Sequence, residues 1–97
     1  MTEHSASHLS GRLRPDPDVV ARRIQDEVLL VQMGSNQVYS LNRTGARLWE
    51  LIAEGRSPLE ASERMLEEFD VPEAELLAEI DSLLTLLLRE ELLGSNE

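Results

Sequence analysis

The chain has 97 residues, a formal net charge of -10, no cysteine, and one each of Trp, Tyr and Phe among 41% apolar residues. This bounds it to one small domain with an aliphatic core and excludes both a disulfide framework and a thiolate metal site. Between Glu60 and Glu91 eleven acidic residues stand against two arginines, so the C-terminal half presents an acidic surface that repels a phosphate backbone.

Residues 1–18 read as a flexible arm rich in Ser, His, Arg, Pro and Asp, with no apolar period. They contain neither a basic n-region nor an apolar h-region, and no run in the chain reaches the roughly 20 apolar residues that span a bilayer. The expectation is a cytoplasmic protein that does not engage a membrane. His4 and His8 have the i, i+4 spacing of a helical metal pair, but only Glu3 stands beside them. We read them as a solvated tail and expect no metal and no cofactor.

Val19–Ile24 is the first expected strand. Asp26 and Glu27 are turn-like, and Val28–Met33 is a second strand whose near-continuous apolarity places it at the centre of a sheet. Gly34-Ser35-Asn36 punctuates a hairpin, since Gly and Asn tolerate positive φ. Gln37–Leu41 follows as a third strand, on the edge of the meander. Asn42 then caps a helix over Arg43–Ala53, with Gly45, Leu48, Trp49 and Ile52 on its buried stripe and Gly55 at its end.

Ser57-Pro58-Leu59-Glu60 is a capping box with proline at the first helical position. It opens a second helix, whose stripe is Ala61, Ser62, Met65, Leu66 and Phe69. Asp70-Val71-Pro72-Glu73 repeats the signal for a third helix running to about Glu91, with Gly94 as its stop and residues 94–97 as a tail. That helix is apolar over more than the arc of about 100° that one core needs. Leu77, Ile80, Leu84, Leu87 and Leu88 form one stripe. Leu76, Leu83 and Leu86 form a flank, which serves a second buried side, a homodimer contact, or a groove beside the sheet edge.

Catalytic signatures are missing: there is no phosphate-binding glycine loop, no Gly-x-Ser-x-Gly elbow, and no His outside the arm to act as a general base. Glu67-Glu68 and Glu90-Glu91 read as solvated helical faces. The expectation is not an enzyme. Three strands with a helix–turn–helix pair also suit a DNA reader. Such a protein presents Arg and Lys on its recognition helix, whereas the second helix here sets Arg64 among Glu60, Glu63, Glu67 and Glu68.

The succession Asp26-Glu27-Val28-Leu29-Leu30, Val38-Tyr39-Ser40-Leu41-Asn42, Thr44-Gly45-Ala46, Trp49-Glu50-Leu51, Ser57-Pro58-Leu59-Glu60, Phe69-Asp70-Val71, and Leu83-Leu84 through Leu92-Leu93 resembles the PqqD family. These are small peptide chaperones, also called RiPP precursor-peptide recognition elements. The resemblance covers residues 19–93. Its most specific part is the Leu-Asn-x-Thr-Gly-Ala segment with the amphipathic helix after it. Two departures stand out: Asn36 and Glu91 occupy positions where the family commonly has glycine.

The resemblance implies an α+β, winged helix-turn-helix-like fold, in which a three-stranded antiparallel sheet is followed by three helices. It also implies a protein that binds the leader segment of a ribosomally made precursor peptide. The leader adds as a strand to the third strand, packs against the third helix, and is presented to a leader peptidase and cyclase in lasso-peptide biosynthesis. The alternatives are a chaperone working with a radical enzyme and a winged-helix DNA-binding regulator.

The residues support strand addition in their own right. Edge strands are usually blunted by charge, proline or a bulge, and Gln37–Leu41 has no charge and no proline, which suits β-augmentation. The expected peptide-binding residues are Gln37, Val38, Tyr39, Ser40 and Leu41 on the strand, Leu76, Leu83 and Leu86 as apolar pocket walls, and Glu75, Glu79 and Ser82 as polar contacts. Of the strand's two faces, Tyr39 and Leu41 make the better buried pair. The expected state is a monomer or weak homodimer.

Overall fold

The computed structural model describes residues 11–95. Its elements are β1 (Leu13–Pro15), β2 (Val19–Ile24), β3 (Glu27–Gln32), β4 (Gln37–Leu41), α1 (Arg43–Ala53), α2 (Pro58–Glu68), α3 (Glu73–Arg89) and β5 (Leu93–Ser95). The arrangement is α+β, a three-stranded antiparallel meander followed by three helices.

The meander has the order β2-β3-β4. Val28 lies opposite Leu41 and Leu30 opposite Tyr39 on one side of β3, and Leu30 lies opposite Ala21 on the other. Strict alternation then sorts the central strand. Val28, Leu30 and Gln32 are buried against the helices, while Leu29 and Val31 point to the other face. On β4 it is Leu41 that is buried and Tyr39 half-buried, with Val38 and Ser40 outward. Asn36 closes the β3–β4 hairpin at φ 59, a left-handed position that Asn fills at little cost.

The helix signals operate as capping chemistry. The Asn42 side chain accepts from the Gly45 N–H at 3.0 Å. Ser57 accepts from the Glu60 N–H at 3.1 Å, and the Glu60 carboxylate accepts from the Ser57 N–H at 2.9 Å, a complete capping box. These bonds hold the Glu60 carboxyl below its ordinary range. Gly55, at φ 105, ends α1 with its N–H bonded to the Ile52 carbonyl and that of Arg56 to Leu51. The core is aliphatic around Trp49, from Val28, Leu30 and Leu41 of the sheet through Leu48, Leu51 and Ile52 of α1 to Ile80, Leu84 and Leu87 of α3.

Several expectations need correction. Residues 11–18 are no arm: Leu13–Pro15 pairs with Leu93–Ser95, Leu13 packs against the core, and the Asp16 N–H donates to the Leu92 carbonyl at 3.0 Å. Gly94 and Ser95, expected in a tail, belong to the same ribbon. Asp70 does not cap α3; Pro72 occupies the cap position with no side-chain hydrogen bond there. Proline has no side-chain acceptor, so the first-turn N–H groups of α3 receive no side-chain cap. His4 and His8 lie outside the described residues. No described helix is long and apolar enough to cross a membrane.

Candidate functional site: the open edge of the meander and the flank of α3

Strand β4 pairs with β3 alone, so every second residue along Gln37–Leu41 turns its N–H and C=O away from the sheet. The other open edge, β2, carries Arg22 and Arg23. Charged side chains discourage an added strand. The two edges are thus chemically unequal, and β4 is the uncharged one.

The C-terminal end of helix α3 is tied to this strand by one hydrogen bond. The Tyr39 hydroxyl donates to Glu90 Oε1 at 2.8 Å. Lower down, Gly45 sits where an added Cβ would lie 3.2 Å from Leu41 Cβ and 3.4 Å from Leu83 Cδ2. A Cβ there would crowd Leu41 by a few tenths of an ångström, so glycine eases the close approach of the first turn of α1 to β4 and α3.

A bond from β3 sets the exit of α3. Gln32, buried on β3, donates from Nε2 to the Glu91 carbonyl at 2.7 Å and accepts from the Gly34 N–H at 2.8 Å. Glu91 stands at φ 62. The Glu91 N–H bonds the Leu88 carbonyl at 3.1 Å and the Leu92 N–H bonds that of Leu87 at 2.8 Å, a Schellman closure in which glycine is the usual left-handed residue.

Helical spacing places Glu75, Glu79, Ser82, Leu86 and Glu90 on one ridge of α3, and the Tyr39–Glu90 bond sets the C-terminal end of that ridge against β4. Glu75, Glu79 and Ser82 are exposed, and Leu83 and Leu86 are half-buried. Leu83 packs against the core; Leu86 does not. One candidate falls elsewhere: Leu76 is 1% exposed and belongs to the core, while Leu77 and Leu88, expected inside, are half-buried. A wide apolar arc does not reveal its own centre: Ile80, Leu84 and Leu87 are buried as expected, but the buried stripe is centred toward Leu76, about 40° from the orientation assumed at about 100° per residue.

Sequence reasoning missed Glu90, taking it for a solvated charge. Its signal was weak: a carboxylate at a helix C-terminus, where the dipole disfavours it, needs a donor. The Tyr39 phenol meets that need, and the bond to Glu90 raises its pKa above the usual value.

With the geometry in view, the comparisons decide the family. The profile described as coenzyme PQQ synthesis protein D (PqqD) matches residues 27–93, two thirds of the chain. The chain belongs to the PqqD family. In this PqqD-family chain the match begins on β3 and ends in β5, and so takes in β4, the three helices and the Schellman turn.

Two solved structures resemble the PqqD-family fold described here. One is TbiB1 in complex with the TbiA(beta) leader peptide, with TM-score 0.79 and 27% identity over 87% of this chain and 98% of that one. The other is a lasso peptide synthetase B1 complexed with the leader peptide, with TM-score 0.75 over 86% and 98%; at 20% identity it speaks to fold alone. No curated protein matches the chain in sequence.

The surface of α2 argues against a nucleic-acid interface. Glu60, Glu63 and Glu67 are exposed there, and Arg64 is paired to Glu68 at 3.3 Å. A cavity of about 380 Å³ lies at the opposite, β2 side of the sheet, lined by Ala21, Val28, Trp49 and Ala53 and rimmed by the Arg23–Glu50 ion pair. Its lining includes no residue of β4.

Proposed function

We propose that this protein recognises the leader segment of a ribosomally made precursor peptide and presents it to a leader peptidase and a cyclase of a lasso-peptide pathway. The leader adds as a fourth strand along Gln37–Leu41. Backbone hydrogen bonds supply affinity without sequence preference, and side chains of alternate leader residues supply specificity against α3. Leu83 and Leu86 receive the apolar ones, and Glu75, Glu79 and Ser82 the polar ones. The protein acts by binding and positioning, without turnover.

The observation that carries this reading is the pairing of an uncharged open strand with the half-buried leucine flank of α3, the two held together by Tyr39 and Glu90. The likeness to TbiB1, a structure containing a leader peptide, supports the same use of the fold. Calorimetry with the leader of its precursor peptide tests it. The expected result is one leader per protomer with micromolar or tighter affinity; no heat at micromolar concentrations overturns it.

A further inference from the structure

Strand β2 is the second open edge of the meander and pairs with β3 alone. The Met33 N–H donates to the Asp18 carbonyl at 2.9 Å, and the register that pairs Val19 with Gln32 runs on to this pair. Alternation then turns the backbone groups of Val20, Arg22 and Ile24 toward β3 and those of Ala21 and Arg23 to the open side. Ala21 lies opposite Leu30 and Arg23 opposite Val28, so both side chains share the face that packs on α1. Leu30 and Val28 are buried there, yet Ala21 is exposed. Beside it opens the cavity of about 380 Å³, floored by Val28 and Trp49 and walled by Ala21 and Ala53. Two alanines, one on β2 and one on α1, keep that space open; a larger residue at either place would fill it.

We infer that this edge is a second docking site, for an extended acidic peptide segment of another protein. The segment pairs its backbone with the free N–H and C=O groups of Ala21 and Arg23. Cross-strand neighbours share a side. The residue beside Ala21 therefore turns a bulky apolar side chain, leucine or larger, into the cavity against Trp49. The next residue, beside Arg22, turns to the outer face, where a carboxylate meets the guanidinium.

Charge selects this occupant. Arg22 is exposed and makes no ion pair or hydrogen bond with the described residues. Val19–Ile24 carries two arginines and no acidic residue. The carboxylates at the cavity rim are already matched, Glu50 by Arg23 and Arg47, and Glu54 by Arg56. A second copy of this chain using the same edge would bring two sets of Arg22 and Arg23 together, and like charges across a strand pair destabilise it. The arginines thus discourage a neutral or basic strand and admit an acidic one. Because β4 contributes nothing to the cavity, this edge is filled independently of the other.

The full chain supplies its own reporter, since Trp49 is the only tryptophan. The probe is the capped peptide acetyl-Thr-Val-Glu-Leu-Glu-Val-Thr-amide, which has no aromatic residue. Its titration is expected to shift Trp49 emission saturably. Replacing both Glu of the peptide by Lys should weaken binding by about fivefold or more, because opposite charges across strands attract and like charges repel. Replacing its Leu by Gly should weaken binding by about tenfold, the burial of one leucine side chain. Arg22→Glu should reverse the preference in favour of the Lys peptide. Ala53→Leu fills the cavity from α1 and should abolish the emission change; should that variant fail to fold, the Gly peptide carries the same comparison. Equal affinity for the Glu and Lys peptides, or no binding of the Glu peptide at millimolar concentration, overturns the inference. Displacement of the probe by the precursor's leader would place it at β4 and overturns it too. So does Trp49 emission that shifts with protein concentration alone, which would make the occupant a second copy.

Discussion

The Tyr39 hydroxyl donates to Glu90 Oε1 at 2.8 Å and thereby joins the open strand to the last turn of α3. The bond needs the phenol neutral, and it raises the Tyr39 pKa above 10.0. The sign follows: stability from this contact is fully present below pH 10 and is lost as pH rises through the raised folded value. Ultraviolet titration of the folded protein should show a phenol ionising later than free tyrosine. Tyr39→Phe should remove this part of the alkaline loss of stability. A phenol titrating at or below 10 would show that the bond does not persist in solution.

Glu91 occupies a left-handed position, φ 62, that closes the Schellman turn after α3. A residue with a Cβ costs about 1–2 kcal/mol there. The carbonyl of Glu91, not its side chain, accepts from Gln32, so the carboxylate is dispensable to the turn. Glu91→Gly should stabilise the domain by about 1 kcal/mol in urea denaturation. Loss of stability would mean that the carboxylate has a partner of its own.

The main elements were legible because each carried its own local chemistry. Asn42 and the Ser57–Glu60 box announced helices, and the two periods separated strand from helix; which face of β4 is buried became clear only from its packing. What stayed hidden depends on distant partners. Leu13-Arg14-Pro15 is too short and too proline-rich to read as a strand, and becomes one only against Leu93–Ser95. Leu76 and Leu77 are neighbours in a leucine-rich arc, and only packing against α1 and α2 chooses between them. Glu90 acquires its role from Tyr39, 51 residues away.

The β1–β5 ribbon makes the segment before Val19 part of the fold. It pairs three residues, packs Leu13 on the core, and places Arg12 Nη1 3.0 Å from the Gly55 carbonyl. A chain beginning at Val19 should be less stable by roughly 1–3 kcal/mol, within the range for losing a half-buried leucine and a short ladder. It should melt several degrees lower. An unchanged melting curve would show that the ribbon contributes nothing.

Arg47 holds α1 to α2 through two parallel bonds to Glu68, Nε to Oε1 and Nη2 to Oε2, both at 2.8 Å. It also reaches Glu50, which pairs with Arg23 on β2. The fork lowers the Glu68 pKa below 4.5. This part of the stability is therefore present above pH 4.5 and lost as pH falls through the lowered folded value. Lysine supplies one point charge and cannot reproduce the fork. Arg47→Lys should cost about 1 kcal/mol at neutral pH and flatten the acid limb of the stability curve. A lysine variant matching wild type at both pH values would reduce the network to a surface ornament.

The groove itself makes the sharpest demand. Consecutive residues of β4 direct their N–H groups alternately to β3 and to the free edge. Gln37 and Val38 both have exposed side chains, so proline there tests the backbone without emptying the core. One of Gln37→Pro and Val38→Pro removes an outward N–H and should weaken leader binding in a folded protein. The other removes a ladder N–H and should damage fold and binding together. On α3, Leu86→Glu places a charge on the apolar side of the groove and should weaken binding by about tenfold, or about 1.4 kcal/mol, with little change in melting. Leu84, fully buried, should not tolerate Glu at all. Leu76→Ala should cost about 2–5 kcal/mol of stability while the surviving folded fraction keeps its affinity. Calorimetry and melting curves on this set separate the groove from the core residue by residue. If Leu86→Glu and both prolines leave affinity intact in folded protein, the leader binds somewhere other than the β4 edge.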